Sequence, residues 1–154
     1  MSHYGVRGVA LDWFKNYLTN RKQYVQVNDT CSAYQLVTCG VPQGSILGPL
    51  LFILYINDIV NTSQLATFIM FADDTNLFFK HTNITVLFNM VNTELAKISK
   101  WFKLNKLSLN IKKTSYILFQ SGNKKKSVGN LHITIDDVEI ERVDKTKFLG
   151  VIIN

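Results

Sequence analysis

One block near the middle of the chain restricts its fold more than any other: Phe68-Ile69-Met70-Phe71-Ala72-Asp73-Asp74-Thr75-Asn76-Leu77-Phe78-Phe79. Its two apolar runs are too short for core helices, and the Asp and Asn residues between them favour a turn. The block therefore predicts a hairpin with buried strands and two adjacent carboxylates at its turn. Like charges set among aromatic side chains repel each other and lose solvation, so they need a cation or must take up a proton. A divalent, oxygen-preferring ion such as Mg²⁺ is the economical partner. A second pair, Asp136-Asp137, lies among His132, Thr134, Glu139, Glu141 and Arg142 and reads as a solvated turn. The dipeptide is a weak signal; the surroundings separate the two.

A chain of 154 residues with 47% hydrophobic and 18% charged side chains suggests one globular domain and excludes whole-chain disorder. Cys31 and Cys39 have no CxxC or HxxxH companions, which suits reduced thiols in an intracellular, cytoplasmic or nuclear protein. The amino terminus lacks the basic start and apolar run of a signal peptide. The longest apolar stretch, Ile46 to Ile56, is broken by Gly48-Pro49 and falls short of the roughly 20 residues that span a bilayer. No membrane partner is expected.

Charge is concentrated. Residues 1–79 carry four basic and five acidic side chains, whereas the interval between Glu94 and Asp136 holds nine lysines and no acid. A one-sign block of this kind attracts polyanions, since each lysine that neutralises a phosphate releases a counterion. Lys97, Lys100, Lys103, Lys106 and Lys112 are the candidate nucleic-acid contacts. Lys124-Lys125-Lys126 falls in a polar, glycine-bearing loop expected over 121–130.

The remaining pattern is mixed. Val9 to Leu18 has helical spacing, and Gln23 to Val27 can pair with Tyr34 to Val37 across Asn28-Asp29. Gly40 to Ser45 is turn-rich and leads into Pro49 to Asp58, a helix apolar on nearly every face and hence expected to be buried on all sides. Thr85 to Phe102 is amphipathic, with Leu87, Val91, Leu95, Ile98 and Trp101/Phe102 facing inward. Ser115 to Gln120 predicts a strand, Leu131 to Ile135 and Val138 to Ile140 a hairpin, and Lys147 to Ile153 a last strand. The class is α+β with a largely antiparallel sheet and packed helices.

In order, Gly40-Val41-Pro42-Gln43-Gly44-Ser45-Ile46-Leu47-Gly48-Pro49-Leu50-Leu51-Phe52, Tyr55-Ile56-Asn57-Asp58 and Phe71-Ala72-Asp73-Asp74-Thr75 resemble the reverse transcriptases of non-LTR (LINE, jockey-like) retrotransposons. Trp13 with Tyr17-Leu18 and Arg21-Lys22-Gln23 is similar to the family's stretch before the glutamine-glycine loop. Trp101-Phe102 through Leu107-Ser108-Leu109-Asn110 and Lys113-Thr114 resembles its lysine-bearing palm segment, and Phe148-Leu149-Gly150 its primer-grip strand.

The resemblance implies a polymerase palm-like fold. Residues 1–120 would be a partial palm, 121–130 a lysine-rich loop, and 131–154 a primer-grip-like hairpin and strand at the start of a thumb connection. Asp73 and Asp74 would be catalytic carboxylates holding Mg²⁺ (or Mn²⁺). Lys113, with Lys112 as second choice, would protonate departing pyrophosphate. Gln43, Gly44 and Ser45 would shape the nucleotide and template pocket. Two metal ions would clamp the attacking 3′-hydroxyl and the leaving oxygen during nucleotidyl transfer. The implied partners are an RNA template, a DNA primer, dNTPs and the rest of the polymerase chain. The family's further palm aspartate, upstream of the Trp13 helix, has no counterpart here, since Asp12 lies on that helix itself. The expectation is a palm truncated at both ends, with little activity alone. A non-catalytic nucleic-acid-binding remnant is the alternative, and an intron-encoded maturase-type enzyme a third.

Overall fold

A computed structural model describes residues 1–120 and 131–154. They form two compact units, Met1–Phe52 and Ile53–Asn154, in place of the single domain suggested by length. Apart from Leu51, every fully buried apolar side chain among the described residues belongs to the second unit. The expected 121–130 loop, with Lys124 to Lys126, lies outside the described residues.

In the first unit, helix α1 (Gly8–Leu18) has no buried residue. Its aromatics pack on one another: Trp13 stacks on Tyr17 with ring planes 9° apart and meets Phe14 edge-on. The Thr19 hydroxyl donates to the Lys15 carbonyl at 2.7 Å and closes the last turn. Four short strands follow, β1 (Lys22–Gln23), β2 (Gln26–Val27), β3 (Thr30–Cys31) and β4 (Gln35–Leu36). They nest as the expected hairpin, β2 with β3 and β1 with β4. Gln26 faces Cys31 but Gln23 faces Gln35, so the returning strand holds one extra residue, a bulge. Ser32 stabilises it by accepting the Val25 N–H on its hydroxyl at 2.9 Å.

Helix α2 (Gly48–Ile56) carries Pro49 in its first turn, where a missing N–H is harmless. It is not buried on all sides: Leu51 and Ile56 are enclosed, whereas Leu50, Ile53 and Tyr55 are about half exposed. Its uniform apolarity names no preferred face, and packing reaches only part of it.

In the second unit, the end of α2 runs into a 3₁₀ turn, Asn57–Thr62, that buries Ile59 completely. Strands β5 (Thr67–Phe71) and β6 (Asp74–Phe78) form the central hairpin. Helix α3 (Ile84–Leu104) is capped by Asn83, whose side chain accepts the Val86 N–H at 3.1 Å. Its inner stripe runs Ile84, Phe88, Val91, Leu95, Ile98, Phe102, in steps of four and three. A 3₁₀ turn at Ile111–Lys113 precedes β7 (Ser115–Tyr116), β8 (Thr134–Ile135), β9 (Val138–Glu139), β10 (Glu141–Arg142), β11 (Thr146–Phe148) and β12 (Val151–Ile153).

The core joins Phe88, Val91 and Leu95 of α3 to Ile133, Ile135 and Ile140, with Leu77 and Phe79 of the central hairpin packed against it. Burying an aliphatic or aromatic side chain of this size contributes about 1.5–3 kcal/mol. Asn92 fixes the register of this layer. Its amide donates to the His132 carbonyl and accepts the Thr134 N–H, each at 2.9 Å.

The architecture is mixed helix and sheet, but not one continuous sheet. Among the described residues the strands form six two-stranded ladders, five antiparallel and one, β7 with β10, parallel. The strand expected over Ser115 to Gln120 is confined to Ser115–Tyr116. The expected strand Lys147 to Ile153 is instead a hairpin, because Leu149 and Gly150 take φ values of 47° and 87° and reverse the chain.

Candidate active site

Phe71 pairs with Asp74, which leaves Ala72 and Asp73 as a two-residue turn joining β5 to β6. Ala72 takes φ 52°, the sign required at the first central position of a hairpin turn and the one that a Cβ disfavours. Asp73, in the turn, and Asp74, the first residue of β6, thus both lie at the hairpin tip. Both are exposed, and no residue of either strand is fully buried, which corrects the expectation of buried strands and desolvated carboxylates. The ladder has two strands only, burial alternates along β5, and even Phe71 is 65% exposed, so no apolar cover reaches the tip. Water remains available to both carboxylates, and desolvation does not force a cation on them.

The donor set still suits Mg²⁺, a hard ion usually held by one or two carboxylates together with water and substrate phosphates. Among the described residues no group of three or more His, Cys, Asp or Glu is placed to hold a metal. The two aspartates alone fall short of a three-ligand group. At the opposite end of this ladder, where Phe78 pairs with Thr67, Phe78 of β6 meets Phe148 of β11 edge-on at 5.9 Å, which joins the central hairpin to the hairpin tipped by Leu149-Gly150. Leu149 is a bulky residue in left-handed backbone and is 55% exposed, two unfavourable features at one tip.

Lys113 and Lys112 end the Ile111–Lys113 turn, both exposed; the Thr114 hydroxyl donates to the Asn110 carbonyl at 3.0 Å and closes this loop. The other candidate lysines divide into two kinds. Lys97 binds Glu94 at 2.6 Å, and Lys103 binds Asp136 at 2.7 Å. Lys100, Lys106 and Lys112 are exposed and enter no ion pair among the described residues. Glu94 is 2% exposed, and the Lys97 hydrogen bond, then the Ser63 hydroxyl, hold its carboxyl below the ordinary 4.5 against the opposing effect of burial. Lys103, then Ser99, hold the Asp136 carboxyl low in the same way.

Gln43, Gly44 and Ser45 belong to the first unit. Gly44 takes φ 77°, and the Ser45 N–H reaches the Pro42 carbonyl at 3.2 Å. The Ser45 hydroxyl accepts the Gly48 N–H at 3.0 Å and so caps the entry to α2. A Cβ on Gly48 would lie 3.0 Å from that hydroxyl and 3.5 Å from the Val41 methyl, so a larger residue would make the Ser45 side chain give by a few tenths of an ångström. Gln43 is exposed on the same turn.

Two residues make contacts that the sequence pattern does not specify. Arg21 donates to the Gly40 carbonyl at 2.6 Å, while its own carbonyl accepts the Val37 N–H at 2.8 Å, so it ties the hairpin base to the glutamine-glycine loop. Asp136, expected to be merely solvated, accepts Ser99 at 2.8 Å and Lys103 at 2.7 Å from α3. The position of Asp136 as the first acid after an acid-free lysine block is the sequence signal for that bond.

No solved structure matches this chain. It is 28% identical over 147 residues to a probable RNA-directed DNA polymerase from transposon X-element of Drosophila melanogaster, covering 91% of this chain and 15% of that protein. It is 27% identical over 144 residues to a probable RNA-directed DNA polymerase from transposon BS of the same organism, covering 89% and 16%. It is 24% identical over 147 residues to the RNA-directed DNA polymerase from mobile element jockey of Drosophila funebris, covering 91% and 16%. The chain spans about one-sixth of the length of these curated relatives. The pattern of the family described as reverse transcriptase (RNA-dependent DNA polymerase) runs through it from residue 2 to residue 153. Asp73-Asp74 on a hairpin tip, the glutamine-glycine turn and the lysine segment all fall inside that match, and the chain belongs to the reverse transcriptase family.

Proposed function

We propose that this chain is a palm portion of an RNA-directed DNA polymerase of a mobile element, acting by nucleotidyl transfer on an RNA template and a DNA primer. The observation that carries this is the Ala72-Asp73 turn, which presents two carboxylates together at an accessible tip. Asp73 and Asp74 would hold Mg²⁺ or Mn²⁺, which when bound supplies Lewis-acid polarisation of the reacting phosphate. Lys113 is the general acid for the departing pyrophosphate, with Lys112 next to it as the alternative. Gln43 and Gly44 line the nucleotide and template side, where absence of a Cβ at Gly44 admits close backbone approach. Ser45 supports them through α2. The Leu149-Gly150 tip serves the primer; Phe148 next to it packs on Phe78, at the end of the central hairpin away from the carboxylates.

The chain alone is expected to polymerise little, because two carboxylates without a third form an incomplete seat for two ions. That same incompleteness favours the second reading, a binding remnant without chemistry. Template-directed incorporation of labelled dNTP by the purified 154-residue protein, with and without Mg²⁺, tests the first point. Robust incorporation would sink the claim of low activity. A Mn²⁺ titration separates the readings: binding that is lost in Asp73→Asn supports the polymerase site, and no binding by the unaltered protein supports the remnant.

A further inference from the structure

The acid-free lysine block is not electrostatically uniform. Lys97 neutralises the buried Glu94, and Lys103 neutralises Asp136 while Ser99 shares the same oxygen. Those two cations are engaged within the molecule. Lys100, Lys106 and Lys112 are exposed and outside every ion pair among the described residues.

Two of these three sit at one end of α3. The chain leaves that helix by the Schellman pattern: the Leu107 N–H bonds the Phe102 carbonyl at 2.9 Å and the Lys106 N–H the Lys103 carbonyl at 3.1 Å. Leu107, Leu109 and Ile111 then turn inward and, with Ser99 and Phe102, line a cavity of about 190 Å³. The segment therefore wraps the helix end, with Lys106 at its start and Lys112 at its finish. Lys100 lies one turn back on α3.

Lys106 supplies a second, independent observation. It occupies the left-handed position after the helix at φ 52°, where glycine is the unstrained choice. A long cationic side chain held in strained backbone, with no internal ion pair, points to an external use for the charge.

We propose that Lys100, Lys106 and Lys112 form the phosphate-contacting set for a nucleic-acid duplex, and that Lys97 and Lys103 are internal positioning residues that leave those phosphates uncontacted. This rests on the proposed polymerase function, because a template–primer hybrid is the polyanion concerned. The contacts are with backbone phosphate and carry no sequence preference.

The test is anisotropy of a fluorescein-labelled 20-base-pair RNA–DNA hybrid from 50 to 200 mM KCl, without divalent metal, on the full chain. Each lysine contacting a phosphate contributes roughly 0.9 to the slope of log affinity against log salt, or about a 3.5-fold loss over that range. Lys100→Gln, Lys106→Gln and Lys112→Gln should each lower the slope by about that amount. Lys97→Gln and Lys103→Gln should leave the slope unchanged and lower the melting temperature. Lys106→Gly is the sharpest variant, expected to raise thermal stability and still lower the slope, which a purely structural lysine would not do. Equal slope losses in Lys97→Gln or Lys103→Gln, unchanged slopes in the other three, or no hybrid binding would overturn the proposal. The polymerase reading fails separately, in the metal titration of Asp73→Asn, where none of these lysines is altered.

Discussion

Ala72 shows how much one backbone angle decides at this site. Its positive φ sets the reversal that places Asp73 and Asp74 at the hairpin tip, and an L-residue there is strained by about 1–2 kcal/mol. Replacing Ala72 with glycine relieves the strain but enlarges the unfolded ensemble, so a net gain of about 0.5–1 kcal/mol is expected. Thermal unfolding followed by circular dichroism checks this, and a fall in the midpoint would contradict it. Glu94 makes the second residue-scale prediction. Its folded carboxyl is held below its ordinary value, so it contributes stability that is present above pH about 4.5 and is lost as pH falls through the lower folded value. Urea midpoints measured from pH 7 down to 3 should therefore drop across that window. Glu94→Gln should flatten the drop, and an unchanged acid limb in that variant would refute the linkage.

At the scale of elements, α3 is held by its cap and by the Asn92 bridge, and the two should differ in weight. Asn83→Ala removes one cap, worth about 1 kcal/mol. Asn92→Ala leaves both the His132 carbonyl and the Thr134 N–H without their partner, at about 1–3 kcal/mol for each group that stays buried. Urea denaturation should rank Asn92→Ala as the more damaging, and the reverse ranking would show that β8 finds other partners. Helix α3 was legible in advance because its apolar steps of four and three leave one face to bury, and the central and Asn28-Asp29 hairpins because turn residues separate apolar runs. What escaped has a common cause. The bulge at Ser32, the Leu149-Gly150 reversal and the exposure of β5 depend on which neighbours a segment finds, and a period-2 pattern does not specify them. Leu149 is an unfavourable turn residue by local chemistry, so the run from Lys147 to Ile153 looked unbroken. Apolar flanks around Asp73-Asp74 suggested burial for the same reason, whereas a two-stranded ladder cannot enclose its own tip.

For the whole molecule, the unequal distribution of buried side chains predicts unequal protection. Phe88→Ala should destabilise Ile53–Asn154 by about 3–5 kcal/mol. Native-state hydrogen exchange should show faster exchange throughout that unit with little change at the hairpin amides between Lys22 and Leu36. Equal acceleration in both units would mean that they unfold as one. The apolar surface is large on both: Ile46 is 95% exposed, and Tyr34, Leu104, Val151 and Ile152 are also open. The bond from Asn92 to the strand at His132–Thr134 has a further consequence, for the order of events during synthesis. Its partners are 40 and 42 residues apart in the chain. At about 5–20 residues per second, a ribosome needs roughly 2–8 s to supply that strand after Asn92 is made. Throughout that interval the inner face of α3, Phe88 included, has the central hairpin but not Ile133, Ile135 and Ile140 to meet, so a nascent chain offers a half-covered greasy helix to holdase chaperones until its closing segment emerges.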